Sequence, residues 1–255
     1  MAVVVDATSF ITASESSKEA FKTASLLKTL TVNSLILGDD GVGKRSLARY
    51  ILPDAPVLEA SDFDELLKTL ESSHKVIILN LHSAPNLQTL IDTIKKNGTH
   101  VVATAKASLQ DEPLEEIFSV NFSIPPLSER MEDVDFLIQR FASEAYKLFG
   151  GSLDSFDKEK IVPDLSRNAN SLRRQVMVTY LLQDIEDKEL MDIIEGYLSI
   201  QLGSNNDYKK FLYLYEVPLI KAGLKKFKSQ LQLADKLGLN RNTLRKKIAD
   251  NKEYL

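Results

Sequence analysis

The stretch SLILGDDGVGK at residues 34–44 joins a short apolar run to a glycine-rich turn that ends on a lysine. The apolar run predicts a buried strand, and residues 46–52 have the apolar spacing of a helix. A glycine-rich loop between a buried strand and a helix lets backbone N–H groups and a helix N-terminus hold phosphate groups. The stretch therefore predicts an α/β fold with a phosphate-binding loop after its first strand.

The candidate nucleotide-binding residues belong to this loop and to the first turn of the following helix: Gly38, Gly41, Gly43, Lys44, Arg45 and Ser46. Lys44 has the place of the lysine that reaches the terminal phosphates. Arg45 stands where a Mg²⁺-binding hydroxyl is expected, and Ser46 lies one residue out of register. The loop predicts ATP or ADP as a ligand and assigns no magnesium site. A glycine-rich turn without a ligand is the alternative.

Apolar and amphipathic stretches alternate on both sides of the loop. They predict helices over residues 15–30 and 87–96, and further strands over residues 75–79, 100–104 and 120–124. Strands that alternate with helices predict a parallel sheet covered by helices on both faces. Beyond this sheet the helical periodicity continues to about residue 200, where a polar, turn-rich stretch predicts a linker.

Composition excludes several classes of protein. The 255 residues exceed one typical domain, and the absence of cysteine excludes disulfides, thiolate zinc sites and cysteine nucleophiles. The three histidines, His74, His82 and His100, share no metal-ligand spacing. No apolar run is long enough for a membrane helix, and residues 1–6 lack the features of a secretory leader. We therefore expect a cytoplasmic protein with no membrane partner.

Charge is divided unevenly along the chain. Residues 1–208 contain 20 basic and 32 acidic residues, a net charge of −12, whereas residues 209–255 contain 12 and 4, a net charge of +8. A basic segment attached to an acidic body is the electrostatic pattern of a nucleic-acid-binding module, because phosphate neutralisation supplies most non-specific affinity.

The basic end has the pattern of two crossed helices. Small Ala234 allows a close helix crossing, and Gly238 permits the tight turn between the helices. Asn240 is suited to cap the second helix. A shared core is predicted from Leu233, Leu237, Leu239, Leu244 and Ile248. A helical hairpin with a solvated basic face is the alternative to a DNA-binding module.

The second helix has the length and charge to enter a major groove. Arg241 and Arg245, one helical turn apart, are the candidates for base contacts. Asn240, Thr243 and Lys246 are candidates for phosphate contacts, which position a protein without reading sequence. The full set of DNA-binding candidates is Asn240, Arg241, Thr243, Arg245, Lys246 and Lys247.

Residues 216–220 and 237–247 closely resemble the C-terminal domain of the Fis family, which includes the DNA-binding ends of NtrC-type enhancer-binding proteins. The resemblance implies a helix-turn-helix that binds double-stranded DNA. It also implies a homodimer, formed through the helices before the motif, from Phe211 to Phe227.

The body resembles the AAA+ domain of the same NtrC-type proteins. Residues 122–134, FSIPPLSERMEDV, are similar to the segment that joins sheet and lid in that family. The resemblance implies an AAA+-like P-loop α/β domain at 1–126, a helical lid at 127–200, a linker at 201–208 and an all-α Fis-type helix-turn-helix domain at 209–255.

Several family positions in the body hold other residues. Asn80 and Leu81 replace the Asp-Glu pair that orders Mg²⁺ and activates water, and Ala105 replaces a polar sensor. Residues 114–118 stand where arginine fingers are expected. At the lid sensor, Leu172 takes the place of the arginine, with Arg173 beside it.

Two further segments of the family are not expected in this chain. Asn80 follows Lys44 by only 36 positions, which leaves no room for the family's loop that engages the sigma-54 form of RNA polymerase. We expect no receiver domain, because the segment before residue 34 is short. Contact with RNA polymerase is left open.

The main hypothesis is a sequence-specific DNA-binding transcriptional regulator. Its degenerate AAA+ body is expected to bind nucleotide at most and not to hydrolyse ATP, so the chain is not predicted to be an enzyme. One alternative is an active P-loop ATPase that acts as a transcriptional activator and uses Asp39 or Asp40 as its acidic residue. The other is a non-enzymatic interaction scaffold in which loop and helix-turn-helix are relics.

Overall fold

The computed structural model describes residues 10–109, 112–153, 156–158, 161–227 and 229–255. The chain forms two compact units, which divide between Asp184 and Ile185. Residues 1–6, to which the expectation of no leader applies, lie outside the described residues. None of the described helices is long and apolar enough to cross a membrane.

The first unit contains a five-stranded parallel sheet. Its strands are β1 (Ser34–Leu37), β2 (Val57–Glu59), β3 (Lys75–Leu79), β4 (His100–Ala105) and β5 (Val120–Ser123). Their order across the sheet is β2-β3-β4-β1-β5, and every neighbouring pair is parallel. The predicted α/β parallel-sheet fold is confirmed.

Helices accompany this sheet. They are α1 (Glu15–Leu27), α2 (Lys44–Ile51), α3 (Phe63–Ser72), α4 (Leu87–Asn97), α5 (Glu112–Glu115), α6 (Met131–Phe149) and α7 (Ala169–Leu182). Short 3₁₀ helices follow β3 at Leu81–Ser83 and β5 at Leu127–Glu129.

Successive residues of the central strands enter different apolar cores. In β3, Val76 and Ile78 pack in a core with Leu66 and Leu90, whereas Ile77 packs in a second core on the other face of the sheet. Side chains alternate between the faces of a strand, so a strand buried on both faces reads as a continuous apolar run.

The structure departs from the predicted elements at three places in this unit. Strand β2 and helix α3 occupy the interval between the phosphate loop and β3, where the sequence had given no element. The helix predicted over residues 15–30 ends at Leu27. In the lid, the described residues between Phe149 and Ala169 form no α-helix.

The second unit is helical. It contains α8 (Asp187–Gln201), α9 (Asp207–Phe211), α10 (Tyr213–Phe227), α11 (Gln230–Lys236) and α12 (Arg241–Asp250). Helix α8 lies in this unit, although the sequence had placed its residues in the lid. Helix α10 begins before Pro218, which lies inside the helix.

Candidate functional sites

The phosphate loop runs from the carboxyl end of β1 to the N-terminus of α2, and two of its glycines are required sterically. Gly38 has φ +146°, and an added Cβ would lie 2.7 Å from the Ile124 carbonyl oxygen. Gly41 has φ +81°, and its Cβ would lie 2.7 Å from the carbonyl oxygen of Arg167. The loop therefore needs residues without side chains at both positions.

The lysine of the loop is buried, with 7% of its surface exposed. Lys44 Nζ donates to the carbonyl oxygen of Gly38 and, at 2.8 Å, to that of Asp39. Burial lowers the pKa of Lys44, and the nearby carboxylates of Asp40 and Asp39 oppose this effect. The loop's own carbonyls thus hold the ammonium group within the loop.

The next two residues both line the cavity above the loop. Arg45 is exposed. Ser46 is half-buried, and its backbone N–H donates to the Gly43 carbonyl at 3.0 Å as the helix begins. The six candidate nucleotide residues therefore lie on one continuous loop and helix start. Gly43, the last glycine among them, has φ +108°.

The cavity has a volume of about 470 Å³. Phe10, Ile11, Leu137 and Phe141 supply apolar wall, and the phosphate loop supplies the polar end. A cavity that combines an apolar wall with convergent polar groups is the usual form of a small-molecule site.

A buried ion pair fixes one wall of this cavity. Arg130 Nη1 donates to Asp133 at 3.2 Å, and Nη2 donates to the Val42 carbonyl in the phosphate loop at 3.0 Å. Burial lowers the pKa of Arg130, whereas the charge of Asp133 raises it. The pair joins the start of α6 to the loop, an arrangement that the sequence did not predict.

The start of the lid helix α7 closes on the phosphate loop. Asn168 Nδ2 donates to the Asp40 carbonyl at 3.0 Å, and its Oδ1 accepts from the Leu127 N–H at 2.7 Å. Ala169 N–H donates to the Gly41 carbonyl at 3.2 Å. Asn168 has φ +53° and ψ −133°, an unfavourable backbone conformation for a residue other than glycine, so its side-chain contacts must hold it there.

Sequence reasoning missed Glu59, a carboxylate that lines the cavity from the end of β2. Its Oε2 accepts from Asn80 Nδ2 at 2.8 Å, and the Asn80 N–H donates to Thr104 Oγ1 at 3.1 Å. Strands β2 and β3 are parallel neighbours, so Glu59 at the end of β2 lies beside Asn80, where an acidic pair had been expected. A three-residue strand gives no periodicity that could have revealed it.

The other substituted positions are mostly buried. Ala105 and Leu172 have no exposed surface, and Leu114, Ile117 and Phe118 pack in the apolar core. These side chains have no reactive group to offer a ligand.

The arginine beside Leu172 is placed differently. Arg173 lines the cavity, and its Nε and Nη2 donate to Glu144 at 3.0 and 2.5 Å. The pairing lowers the pKa of Glu144 and raises that of Arg173. Arg173 is therefore a cation at the cavity edge.

The helix-turn-helix has the turn and cap that were predicted. Gly238 has φ +63° between α11 and α12, and the Asn240 side chain caps α12 by accepting from the Asn242 N–H at 2.8 Å. Leu233, Leu244 and Ile220 are fully or almost fully buried in the core of this unit. Local sequence signals were sufficient here because the turn and the cap depend on neighbouring residues.

The DNA-binding candidates divide into two groups. Asn240, Arg241, Thr243, Arg245 and Lys246 are exposed on α12. Lys247 is half-buried, and its Nζ forms an ion pair with Glu216 of α10. Lys247 is thus engaged within the unit, which the sequence did not indicate.

Within the described ranges, no group of three or more His, Asp or Glu residues could hold a metal ion. His82 and His100 both have lowered pKa values, chiefly because of burial, which favours the neutral form.

The fold and site define a P-loop protein with a helical lid, joined to a helix-turn-helix unit. The model of the Bacterial regulatory protein, Fis family, matches residues 214–250. The chain is 33% identical over 168 residues to the DNA-binding transcriptional regulator NtrC of Bradyrhizobium sp. (strain RP501 Parasponia), a match that covers 51% of this chain and 35% of that protein. NtrC of Rhizobium meliloti is 30% identical over 171 residues, with the same coverage of each chain.

Solved structures confirm the fold. NtrX from Brucella abortus in complex with ADP has a TM-score of 0.57 and 14% identity, and the match covers 96% of this chain and 69% of that one. Together these similarities confirm the resemblance to NtrC-type AAA+ regulators with a C-terminal Fis-type helix-turn-helix. The chain spans about a third of the length of the curated relatives that it matches.

Proposed function

We propose that this chain is a cytoplasmic, sequence-specific DNA-binding transcriptional regulator. Helix α12 carries the proposal, because it exposes Arg241, Arg245 and Lys246 beyond a capped turn. A cationic, solvent-facing second helix suits a DNA groove and its flanking phosphates. The match of residues 214–250 to a family of regulatory proteins supports this function.

Binding to duplex DNA tests the proposal directly. We expect Arg245→Ala to cost about 1 to 3 kcal/mol and to relax base preference, because a bidentate contact to a base edge is lost. Lys246→Ala should weaken binding to all sequences alike and reduce the salt dependence. Fluorescence anisotropy of the full chain on specific and random duplexes, over a salt series, measures both.

Lys247→Ala provides the control, because its ammonium group is already paired with Glu216. We expect it to change DNA affinity less than Lys246→Ala does. If the unmodified chain has no salt-dependent affinity for any duplex, the chain is better described as an interaction scaffold. Equal effects of the Arg245 and Lys246 substitutions would show that the division into base-reading and phosphate-contacting residues is wrong.

We also propose that the first unit binds ATP or ADP without hydrolysing it. The support is the phosphate loop with its buried Lys44, combined with Asn80 and Leu81 at the end of β3, where two carboxylates would order Mg²⁺ and activate water. Nucleotide would then act as a conformational or oligomerisation signal.

Phosphate release from ATP, with and without DNA, tests this part of the proposal. We expect no release above background and no difference between the unmodified chain and Lys44→Ala. Hydrolysis that Lys44→Ala abolishes would instead support an active ATPase. Glu59 is the observation that favours this second candidate, because its carboxylate lines the cavity. Loss of that hydrolysis in Glu59→Gln would assign the carboxylate to the reaction.

A homodimer through the second unit completes the proposal. Residues 211–227 were expected to supply the surface, and Tyr215 of α10 is 68% exposed. Helix α8 of the same unit offers a further apolar surface, since it has no buried residue and exposes Met191, Ile193 and Ile194. An apolar surface of this kind is typical of a protein–protein interface.

A further inference from the structure

Magnesium does not fit the nucleotide cavity well. The residue after Lys44 is arginine rather than a hydroxyl-bearing residue, and β3 ends at Asn80. The amide nitrogen of Asn80 faces Glu59, so the nearest carboxylate already accepts a hydrogen bond from a protein donor. Mg²⁺ requires oxygen ligands in octahedral geometry, and the two usual sources of protein oxygen at a phosphate loop are both replaced.

Cations are instead abundant around the cavity. Among the described residues that line it, six are cationic and four are anionic: Lys44, Arg45, Arg130, Arg140, Arg167 and Arg173, against Asp39, Asp40, Glu59 and Asp133. The buried ion pair of Arg130 and Asp133 neutralises one of each. Arg173 is likewise paired, with Glu144 outside the lining. Lys44, Arg45 and Arg167 lie on or against the phosphate loop and favour an anionic ligand there.

Three of these arginines are placed around the phosphate loop. Arg45 follows the loop lysine, and the backbone of Arg167 packs against Gly41, with its side chain exposed at the cavity. Arg173 lies further along the lid helix, where Glu144 holds its guanidinium at the cavity edge. A guanidinium group donates two parallel hydrogen bonds to phosphate and stays charged, so it can neutralise phosphate without a metal ion.

We propose that this cavity binds the polyphosphate of a nucleotide without a divalent metal ion, and that Arg45, Arg167 and Arg173 neutralise the phosphate charge in its place. The inference rests on the proposed nucleotide binding and makes it more specific. It names the ligand as the metal-free nucleotide and assigns a role to Arg45 that a magnesium site would not allow.

Titration of the full chain with a fluorescent ATP analogue, in EDTA and in excess Mg²⁺, tests the inference. We expect the two dissociation constants to differ by less than about threefold. In EDTA, Arg167→Gln and Arg173→Gln should each weaken binding by about tenfold or more, because each removes a charge-assisted hydrogen bond. Arg45→Ser removes a cation and places a hydroxyl directly after Lys44. We expect this variant to bind the analogue more weakly in EDTA and more tightly once Mg²⁺ is added.

Matched controls lie on the same helices. Arg49 on α2 and Arg174 on α7 do not line the cavity, so Arg49→Gln and Arg174→Gln should bind like the unmodified chain. All five arginines are exposed, so each can be replaced without removing a buried group. Circular dichroism of each variant checks that it is folded.

The possible outcomes distinguish metal-free recognition from the proposed nucleotide binding on which it rests. Binding that requires Mg²⁺ would overturn metal-free recognition and leave nucleotide binding intact. Absence of binding in both buffers would overturn nucleotide binding itself, and the inference with it. Metal-free binding that the Arg167 and Arg173 substitutions do not weaken would overturn the role assigned to the arginines.

Discussion

The carboxylate of Asp133 accepts hydrogen bonds from five donor groups. They are the backbone N–H groups of Ala13 and Ser14, the hydroxyls of Ser14 and Ser17, and the guanidinium of Arg130. Asp133 is completely buried. One side chain thus fixes the segment before α1, the start of α1 and the arginine that contacts the phosphate loop.

We expect Asp133→Asn to lower the free energy of unfolding of the first unit by about 3 to 5 kcal/mol, because it leaves the buried Arg130 charge without its anionic partner. Urea denaturation, followed by circular dichroism of the full chain, measures the change. Asp135→Asn on the same helix is the control, since Asp135 is exposed and should cost less than about 0.5 kcal/mol. A similar loss in both variants would show that the ion pair contributes little.

The sequence predicted residues whose roles depend on near neighbours. Lys44 and the cap Asn240 were identified because a loop and a helix start each show a short, local pattern. Glu59 and Asn168 were not identified as site residues, because their partners are 21 and 128 positions away along the chain. Such contacts depend on the order of the strands and on the closure of the lid.

At the scale of elements, the long apolar strands and the helix-turn-helix were predictable, and the short or interrupted elements were not. Strand β2 has only three residues, each half-buried, so it shows no clear alternation. Pro218 would fit the first turn of a helix, which proline favours. In the structure α10 continues through it, and the packing of Val217 and Ile220, both buried, offsets the missing hydrogen bond.

Helices α10 and α11 cross at a glycine that the sequence analysis did not single out. A Cβ added to Gly223 would overlap Leu233 Cδ1, and Leu233 is completely buried. The crossing therefore depends on Gly223 as well as on the small Ala234.

We expect Gly223→Ala to destabilise the helix-turn-helix by about 1 to 3 kcal/mol, because overpacking outweighs the gain in helix propensity. Gly196→Ala on α8 is the control, since no atom beyond its chain neighbours and the adjacent helix backbone lies within 4 Å of the added Cβ. It should be neutral or stabilising by up to about 1 kcal/mol. Amide hydrogen exchange in α11 and α12 reports the local change, and equal protection in the two variants would contradict the proposed crossing.

At the scale of the whole molecule, the chain combines two units with different charges and different candidate ligands. The acidic first unit carries a cationic cavity, and the basic residues beyond position 208 lie in the second unit. When one unit unfolds locally, its own backbone amides become exposed to solvent. Amide hydrogen exchange can therefore report the stability of each unit separately.

A ligand that binds only the native state of a unit stabilises it by about 2.7 kcal/mol at a free concentration one hundred times its dissociation constant. We therefore expect saturating ATP to slow amide exchange in β1 and α2 of the unmodified chain, and not in Lys44→Ala. Duplex DNA should slow exchange in α12, and Arg245→Ala should reduce this effect. If ATP leaves exchange in β1 and α2 unchanged at every concentration, the phosphate loop does not bind nucleotide.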